Sequence, residues 1–83
     1  MKFKKGDKVI WKRFIDSGGR EVPLNDIDEE YQKLITERTI LTITKLNRYN
    51  NTYGVDNPIM VGQYFFEREL IYSKIENWRK RLR

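Results

Sequence analysis

A dense run of β-branched residues between Arg38 and Arg48 constrains the fold of this chain more than any other feature of its sequence. The run reads RTILTITKLNR, and isoleucine and threonine dominate its centre. Such side chains fit a pleated, half-buried surface, so the run predicts a long strand over residues 38–48. Because 83 residues have room for one core only, we expect every other element to pack on this strand in a single domain, residues 1–83.

Shorter apolar runs, separated by turn residues, predict a chain that is mainly β. They are expected to form four further strands, at residues 7–14, 53–56, 59–66 and 70–72. Gly18 and Gly19 accept the backbone angles of a tight turn, so residues 20–24 are expected to return as the second arm of a hairpin. Strand alternation predicts inward-facing side chains at Val9, Ile43, Val55 and Leu70.

Two segments carry the 3.6-residue period of an amphipathic helix. In residues 26–35 the apolar face consists of Ile27, Tyr31, Leu34 and Ile35. Asn25 is the expected N-cap of this helix, and the acidic residues that follow it suit the positive end of the helix dipole. The second segment, residues 74–83, has an apolar stripe of Ile75, Trp78 and Leu82. It is expected to form a short C-terminal helix.

Three further patterns resemble the strands of one class of small barrel. The opening Phe3-Lys4-Lys5-Gly6-Asp7-Lys8-Val9 is similar to the first strand of Src-homology-3-like and KOW-type barrels, in which an aromatic residue, a Gly-Asp turn and an inward valine open the fold. Residues 42–46 with Tyr53-Gly54-Val55 resemble the second and third strands. Phe66-Glu67-Arg68-Glu69-Leu70-Ile71 resembles the closing strand and its short helical turn.

The resemblance covers residues 3–72 and implies a five-stranded barrel. Residues 15–37 would then form a long first loop that contains a short helix, and a short C-terminal helix would follow the barrel. Small barrels of this kind occur in bacterial, phage and ribosome-associated proteins, where they bind RNA, DNA or other proteins. The resemblance therefore implies a binding module rather than a catalyst.

Composition excludes the common catalytic arrangements. The chain has no cysteine and no histidine, so it has no disulfide, no thiolate metal site and no histidine-assisted nucleophile. Its acidic residues at 26–30 lack the central glycine of a calcium loop. Glu67 and Glu69 flank Arg68 in an expected turn, and nothing in the sequence around them indicates a catalytic pocket. We therefore expect no enzymatic activity, no metal and no cofactor. With no membrane-spanning run or leader in the sequence, the expected location is the cytoplasm.

The charge is unevenly distributed along the chain. Residues 1–14 carry +5, residues 15–37 carry −5, residues 38–73 carry +1 and residues 74–83 carry +4. Basic ends flanking an acidic middle could steer the protein towards an acidic partner, or could simply keep a small domain in solution.

Protein binding is the preferred functional hypothesis. Aromatic, aliphatic and methionine side chains dominate protein interfaces, and the candidate anchors are Tyr31, Leu34, Met60 and Trp78. A phage or mobile-element effector that occupies a host protein is one form that this function could take.

Nucleic-acid binding is the alternative. Basic residues near both chain ends could form one positive face, and a loop with basic and aromatic residues could stack bases. The candidates are Lys4, Lys5, Lys12, Arg13, Arg48, Tyr49, Tyr53, Arg79, Lys80, Arg81 and Arg83.

Overall fold

The computed structural model, which describes residues 1–60 and 62–73, is organised around a five-stranded antiparallel sheet and a small two-stranded sheet. In chain order the strands are β1 (Lys8–Trp11), β2 (Phe14–Ile15), β3 (Glu21–Val22), β4 (Ile40–Asn47), β5 (Thr52–Val55), β6 (Phe65–Phe66) and β7 (Leu70–Tyr72). The larger sheet has the order β6-β5-β4-β1-β7, and β2 pairs with β3 in the smaller one. The prediction of a mainly β chain is therefore confirmed.

The strand predicted from the β-branched run lies at the centre of the larger sheet. β4 pairs with β1 on one side and with β5 on the other. It begins at Ile40 rather than Arg38, because Arg38 has a φ of 51°, which lies outside the strand region. The run therefore locates the central strand correctly and misplaces its start by two residues.

The predicted hairpin in the first loop is also present. The predicted strand 7–14 is divided between β1 and β2, and β3 returns beside β2 as expected. The carboxylate of Asp16 accepts hydrogen bonds from the backbone N–H groups of Gly18 (2.9 Å) and Arg20 (3.0 Å). Gly19 has a φ of 83°, which glycine adopts without strain. These contacts close the turn.

The predicted helix 26–35 begins later than its sequence pattern indicated. A 3-10 turn (Leu24–Asp26) precedes the α-helix α1 (Glu29–Thr36). The backbone N–H of Asp26 donates to the carbonyl oxygen of Pro23 at 2.9 Å, which holds Asn25 inside the 3-10 turn. The N-cap position belongs to Asp28, so the prediction that Asn25 caps the helix is wrong.

The predicted strand over residues 59–66 is largely wrong. Pro58–Met60 forms a 3-10 turn, and among the described residues of this range only β6, at its end, is a strand. The side-chain oxygen of Asn57 accepts a hydrogen bond from Ile59 N–H, and its carbonyl oxygen accepts one from Met60 N–H, both at 2.9 Å. An asparagine followed by proline thus closes a turn where the apolar pattern alone indicated extended chain.

The core lies between the larger sheet and α1. Its buried side chains are Phe3, Val9, Trp11, Leu34, Leu41, Ile43, Tyr53, Val55, Met60, Phe65 and Leu70. The four positions predicted to face inward are all among them. Trp11 lies at the centre, with ring centroids 5.2 Å from Phe65 and 6.1 Å from Tyr31. Its indole therefore joins the helix to the sheet.

A third 3-10 turn, Glu67–Glu69, connects β6 to β7. Within the described residues, no helix has the length and apolar character of a bilayer span. The predicted C-terminal helix, residues 74–83, lies outside the described part of the chain.

Candidate binding surfaces

Three isoleucines form a row across the outer face of the sheet. Ile10 of β1 is the register partner of both Ile40 in β4 and Ile71 in β7. Side chains on directly opposed residues of neighbouring strands lie on the same face, so the three are adjacent. Ile10 and Ile71 are half-buried and Ile40 is 43% exposed. We refer to Ile10, Ile40 and Ile71 as the isoleucine row.

The isoleucine row forms the floor of an open cleft of about 710 Å³, which we call the isoleucine cleft. The end of α1 supplies one wall, and the edge strand β7 supplies another. The remaining lining residues are Trp11, Lys12, Ile35, Thr36, Arg38, Tyr72 and Ser73. Among the described residues that line the cleft, only Lys12 and Arg38 are charged, and both are basic. The cleft is thus apolar at its base and positive at its rim.

Arg38 reaches the cleft because of how α1 ends. The N–H of Arg38 donates to the carbonyl oxygen of Ile35 at 3.3 Å, and that of Thr39 donates to Leu34 at 3.2 Å. This pair of bonds is the Schellman arrangement, in which the residue after the C-cap adopts the left-handed conformation. Glycine usually occupies that position, and this chain has arginine there instead.

Two of the four predicted protein-binding anchors are buried in the core. Leu34 and Met60 are 6% and 3% exposed, so neither can anchor a partner from the surface, and these two assignments are corrected. Their apolar character is used in packing instead. Tyr31 is half-buried and packs against the core. Trp78 lies outside the described residues.

The predicted basic face is divided between surfaces. Lys12 lies at the isoleucine cleft, whereas Lys5 lines a different groove together with Arg48. Arg13 is 3.9 Å from Glu21 and forms an ion pair with it. Lys4 is exposed. The predicted basic residues of the C-terminal segment, Arg79, Lys80, Arg81 and Arg83, lie outside the described part of the chain.

The second groove has a volume of about 300 Å³ and lies beside the β4–β5 hairpin. We call it the basic groove, and its lining residues are Lys5, Lys45, Leu46, Asn47, Arg48 and Tyr64. The three charged residues in this set are all basic. Tyr64 is 47% exposed, and Tyr49, next to Arg48 at the hairpin tip, is 98% exposed.

Tyr53 does not belong to this surface, which corrects its assignment as a base-stacking residue. Its side chain is fully buried. Its hydroxyl accepts a hydrogen bond from Phe3 N–H at 3.3 Å and donates one to the carboxylate of Glu67 at 2.8 Å. The ring joins the N-terminal segment to the core, and no face of it is open to a ligand.

Two glutamates close to each other in sequence have opposite environments. Hydrogen bonds from Lys2 N–H (2.7 Å) and from the Tyr53 hydroxyl hold the pKa of Glu67 below its ordinary value. Burial raises the pKa of Glu69, although Phe66 N–H and the Trp11 indole N–H both donate to its carboxylate. Both carboxylates are engaged in structural contacts.

Residues 1–60 and 62–73 contain no group of three or more carboxylate, histidine or cysteine side chains that could hold a metal ion. No protein-family model, curated protein or solved structure matches this chain. The interpretation of the isoleucine cleft and of the basic groove therefore depends on their own geometry and charge.

The residues that define both grooves were mostly missed by sequence reasoning. In β1, the apolar run Val9-Ile10-Trp11 places Ile10 on the outer face, beside Lys8, while Val9 and Trp11 face inward. An unbroken apolar run of this kind indicates a strand covered on both sides, and it was the available signal for the isoleucine row. No comparable pattern in the sequence marks Lys45 and Tyr64 as neighbours.

Proposed function

We propose that this chain is a non-catalytic protein-interaction domain that binds its partner at the isoleucine cleft. The observation that carries the proposal is the isoleucine row, which crosses three paired strands on the outer face of the sheet. A contiguous apolar patch at the base of an open cleft is a candidate interaction site, whereas scattered exposed apolar residues need no explanation.

The row also favours binding for an entropic reason. Isoleucine is β-branched, and strand pairing already restricts its side-chain rotation. Ordering such side chains on binding therefore costs less than ordering long flexible ones. Covering the row would remove apolar area from water at about 25 cal/mol per Å².

The charge at the rim of the cleft indicates the chemistry of the partner. Lys12 and Arg38 are the only charged residues among its described lining. On the same face, Lys8 is the register partner of Thr42 and donates to its hydroxyl at 2.6 Å. An apolar floor with a positive rim fits a partner segment that carries aliphatic or aromatic side chains flanked by aspartate or glutamate.

We further propose that the larger sheet is curled into a partly open Src-homology-3-like barrel. β6 and β7 lie at opposite ends of the strand order, yet only Glu67–Glu69 separates them in sequence. A flat sheet would hold two such strands about 19 Å apart. The connection between them spans at most about 14 Å at full extension. If the sheet is curled, β6 and β7 come close enough for this short connection to join them.

The proposed setting is the cytoplasm, and the proposed role is that of an adaptor or effector that occupies one protein. More specifically, we propose an effector of phage or mobile-element origin that occupies a host protein. A small basic domain with a cleft whose floor is lined by apolar side chains supports such a role.

Selection from a random peptide display library against the full chain tests the chemistry of the partner. We expect the selected peptides to be enriched in apolar residues and in aspartate or glutamate. Ile40→Thr keeps a β-branched side chain in the strand and should abolish their binding. Ile59→Thr is the matched control, because Ile59 is 42% exposed but lies outside the cleft.

A charge reversal adds a second arm to this experiment. Lys12→Glu combined with Arg38→Glu should shift the selected peptides from acidic to basic while the apolar residues persist. Selected peptides without an acidic bias, or peptides that bind Ile40→Thr and the original chain equally, would overturn the proposal.

A further inference from the structure

We propose a second binding site, for single-stranded nucleic acid, in the basic groove. It goes beyond the protein-interaction function, since it uses a different surface and a different class of ligand. The groove brings together Lys5, Lys45 and Arg48, and none of its described lining residues is acidic. Within the described residues the only ion pair joins Arg13 to Glu21, so the three cations of the groove are not neutralised by a carboxylate there.

The fold itself places Lys45 in the groove. A β-bulge shifts the register of β4 against β5 between Ile43 and Lys45. Regular alternation would put Lys45 on the same buried face as Ile43, and the extra residue turns it outward. Its register partner is Gly54, where an added methyl group would lie 3.1 Å from the Cβ of Lys45. The stem of Lys45 therefore lies against the backbone of Gly54.

Two exposed tyrosines complement the cations. Tyr64 lines the groove, and Tyr49 projects from the hairpin next to Arg48. Cations that follow a nucleic-acid backbone, combined with aromatic rings on which bases stack, are the pattern of single-strand binding. Bases in a duplex are already stacked on each other and cannot offer a face to a tyrosine. This requirement favours a single strand over a duplex.

Fluorescence anisotropy with labelled single-stranded RNA and DNA oligonucleotides, titrated with the full chain, tests the site. We expect binding that weakens as salt rises, because neutralised phosphates release counterions. The triple substitution Lys5→Gln, Lys45→Gln and Arg48→Gln should reduce the salt slope by about 2, since each phosphate contact contributes roughly 0.7 for single strands. The affinity should fall at least about tenfold at low salt.

A charge-matched control separates the groove from net charge. The triple substitution Arg20→Gln, Lys33→Gln and Arg68→Gln removes the same charge from exposed positions outside both the basic groove and the isoleucine cleft. We expect it to retain most of the affinity. An equal loss in both triple variants would show attraction to net charge alone and would overturn the site.

The tyrosines give a readout that charge does not affect. Tyr64→Ala should lower the affinity roughly tenfold without changing the salt slope, whereas Tyr64→Phe should preserve binding because it retains the ring. Circular dichroism would verify that each variant is folded. Equal affinity for a duplex of the same sequence, equal competition by polyglutamate, or no binding to any strand at low salt would each overturn the proposal.

Discussion

At the scale of single residues, the surroundings of a glutamate decide whether its pKa rises or falls. Glu67 and Glu69 are two positions apart in one 3-10 turn, yet their pKa values are shifted in opposite directions. Glu67 accepts hydrogen bonds from two donors at the surface, which favours its charged form. Glu69 is 3% exposed, and burial disfavours its charged form.

These shifts give the free energy of unfolding a defined pH dependence. Because the pKa of Glu69 is raised in the folded state, the folded chain binds its proton more tightly than the unfolded chain does. Stability from this group is therefore present below the ordinary pKa of 4.5 and is lost as pH rises through the raised value. Glu67 acts oppositely, since its contribution is lost as pH falls below 4.5.

Chemical denaturation across a pH series measures the effect of Glu69. Glu69→Gln should remove the decline in stability above pH 4.5, whereas Glu30→Gln, on the exposed side of α1, should retain it. An unsubstituted chain that shows no decline, or a Glu69→Gln variant that declines equally, would contradict the assigned environment of this carboxylate.

Residue type alone did not distinguish core from surface at the candidate sites. Leu34, Met60 and Tyr53 have side chains that suit interfaces, and all three are buried. The burial of Leu34 and Met60 depends on which elements pack together, which is a long-range property of the fold. Tyr53 lies two residues before the inward-facing Val55 in β5, so strand alternation already indicated its burial. The inward positions of the strands were predictable because alternation is local.

At the scale of elements, the end of α1 combines a structural cost with a position at the cleft. Arg38 occupies the left-handed position of the Schellman motif, which costs a non-glycine residue roughly 1 kcal/mol. The same residue lines the isoleucine cleft. We interpret the arginine as a residue that serves binding at some expense of stability.

Arg38→Gly tests this interpretation. Glycine adopts the left-handed conformation freely, so we expect the free energy of unfolding to rise by about 1 kcal/mol. Affinity for acidic peptides selected on the original chain should fall at the same time. Denaturant unfolding and peptide titration measure the two effects. A destabilised variant, or one with unchanged peptide affinity, would contradict the role that we assign to Arg38.

Element prediction succeeded where local pattern and turn chemistry agreed. The central strand, the hairpin at Gly18-Gly19 and the last strand are all present. It failed at residues 59–66, where an apolar run follows Asn57-Pro58 and the turn chemistry prevails over the run. The β-bulge in β4 was also unpredictable, because it depends on pairing with β5.

At the scale of the whole molecule, one strand connects the two proposed sites. Ile40, at the start of β4, belongs to the isoleucine cleft, and Lys45, near its end, belongs to the basic groove. Five residues of extended strand span about 17 Å. The two surfaces are therefore far enough apart for a protein segment and a nucleic-acid strand to bind at the same time.

Site-specific photo-crosslinking in cells of the native host tests the central claim, that the isoleucine cleft holds an acidic partner segment. The crosslinker replaces Thr36, an exposed residue that lines the cleft, so the isoleucine row stays intact. We expect one nuclease-resistant protein adduct, whose crosslinked peptide is rich in apolar and acidic residues. Ile40→Thr should eliminate this adduct and Ile59→Thr should preserve it. An adduct of equal yield in the Ile40→Thr chain, or a crosslink only to residues 74–83 of the same chain, would contradict the claim.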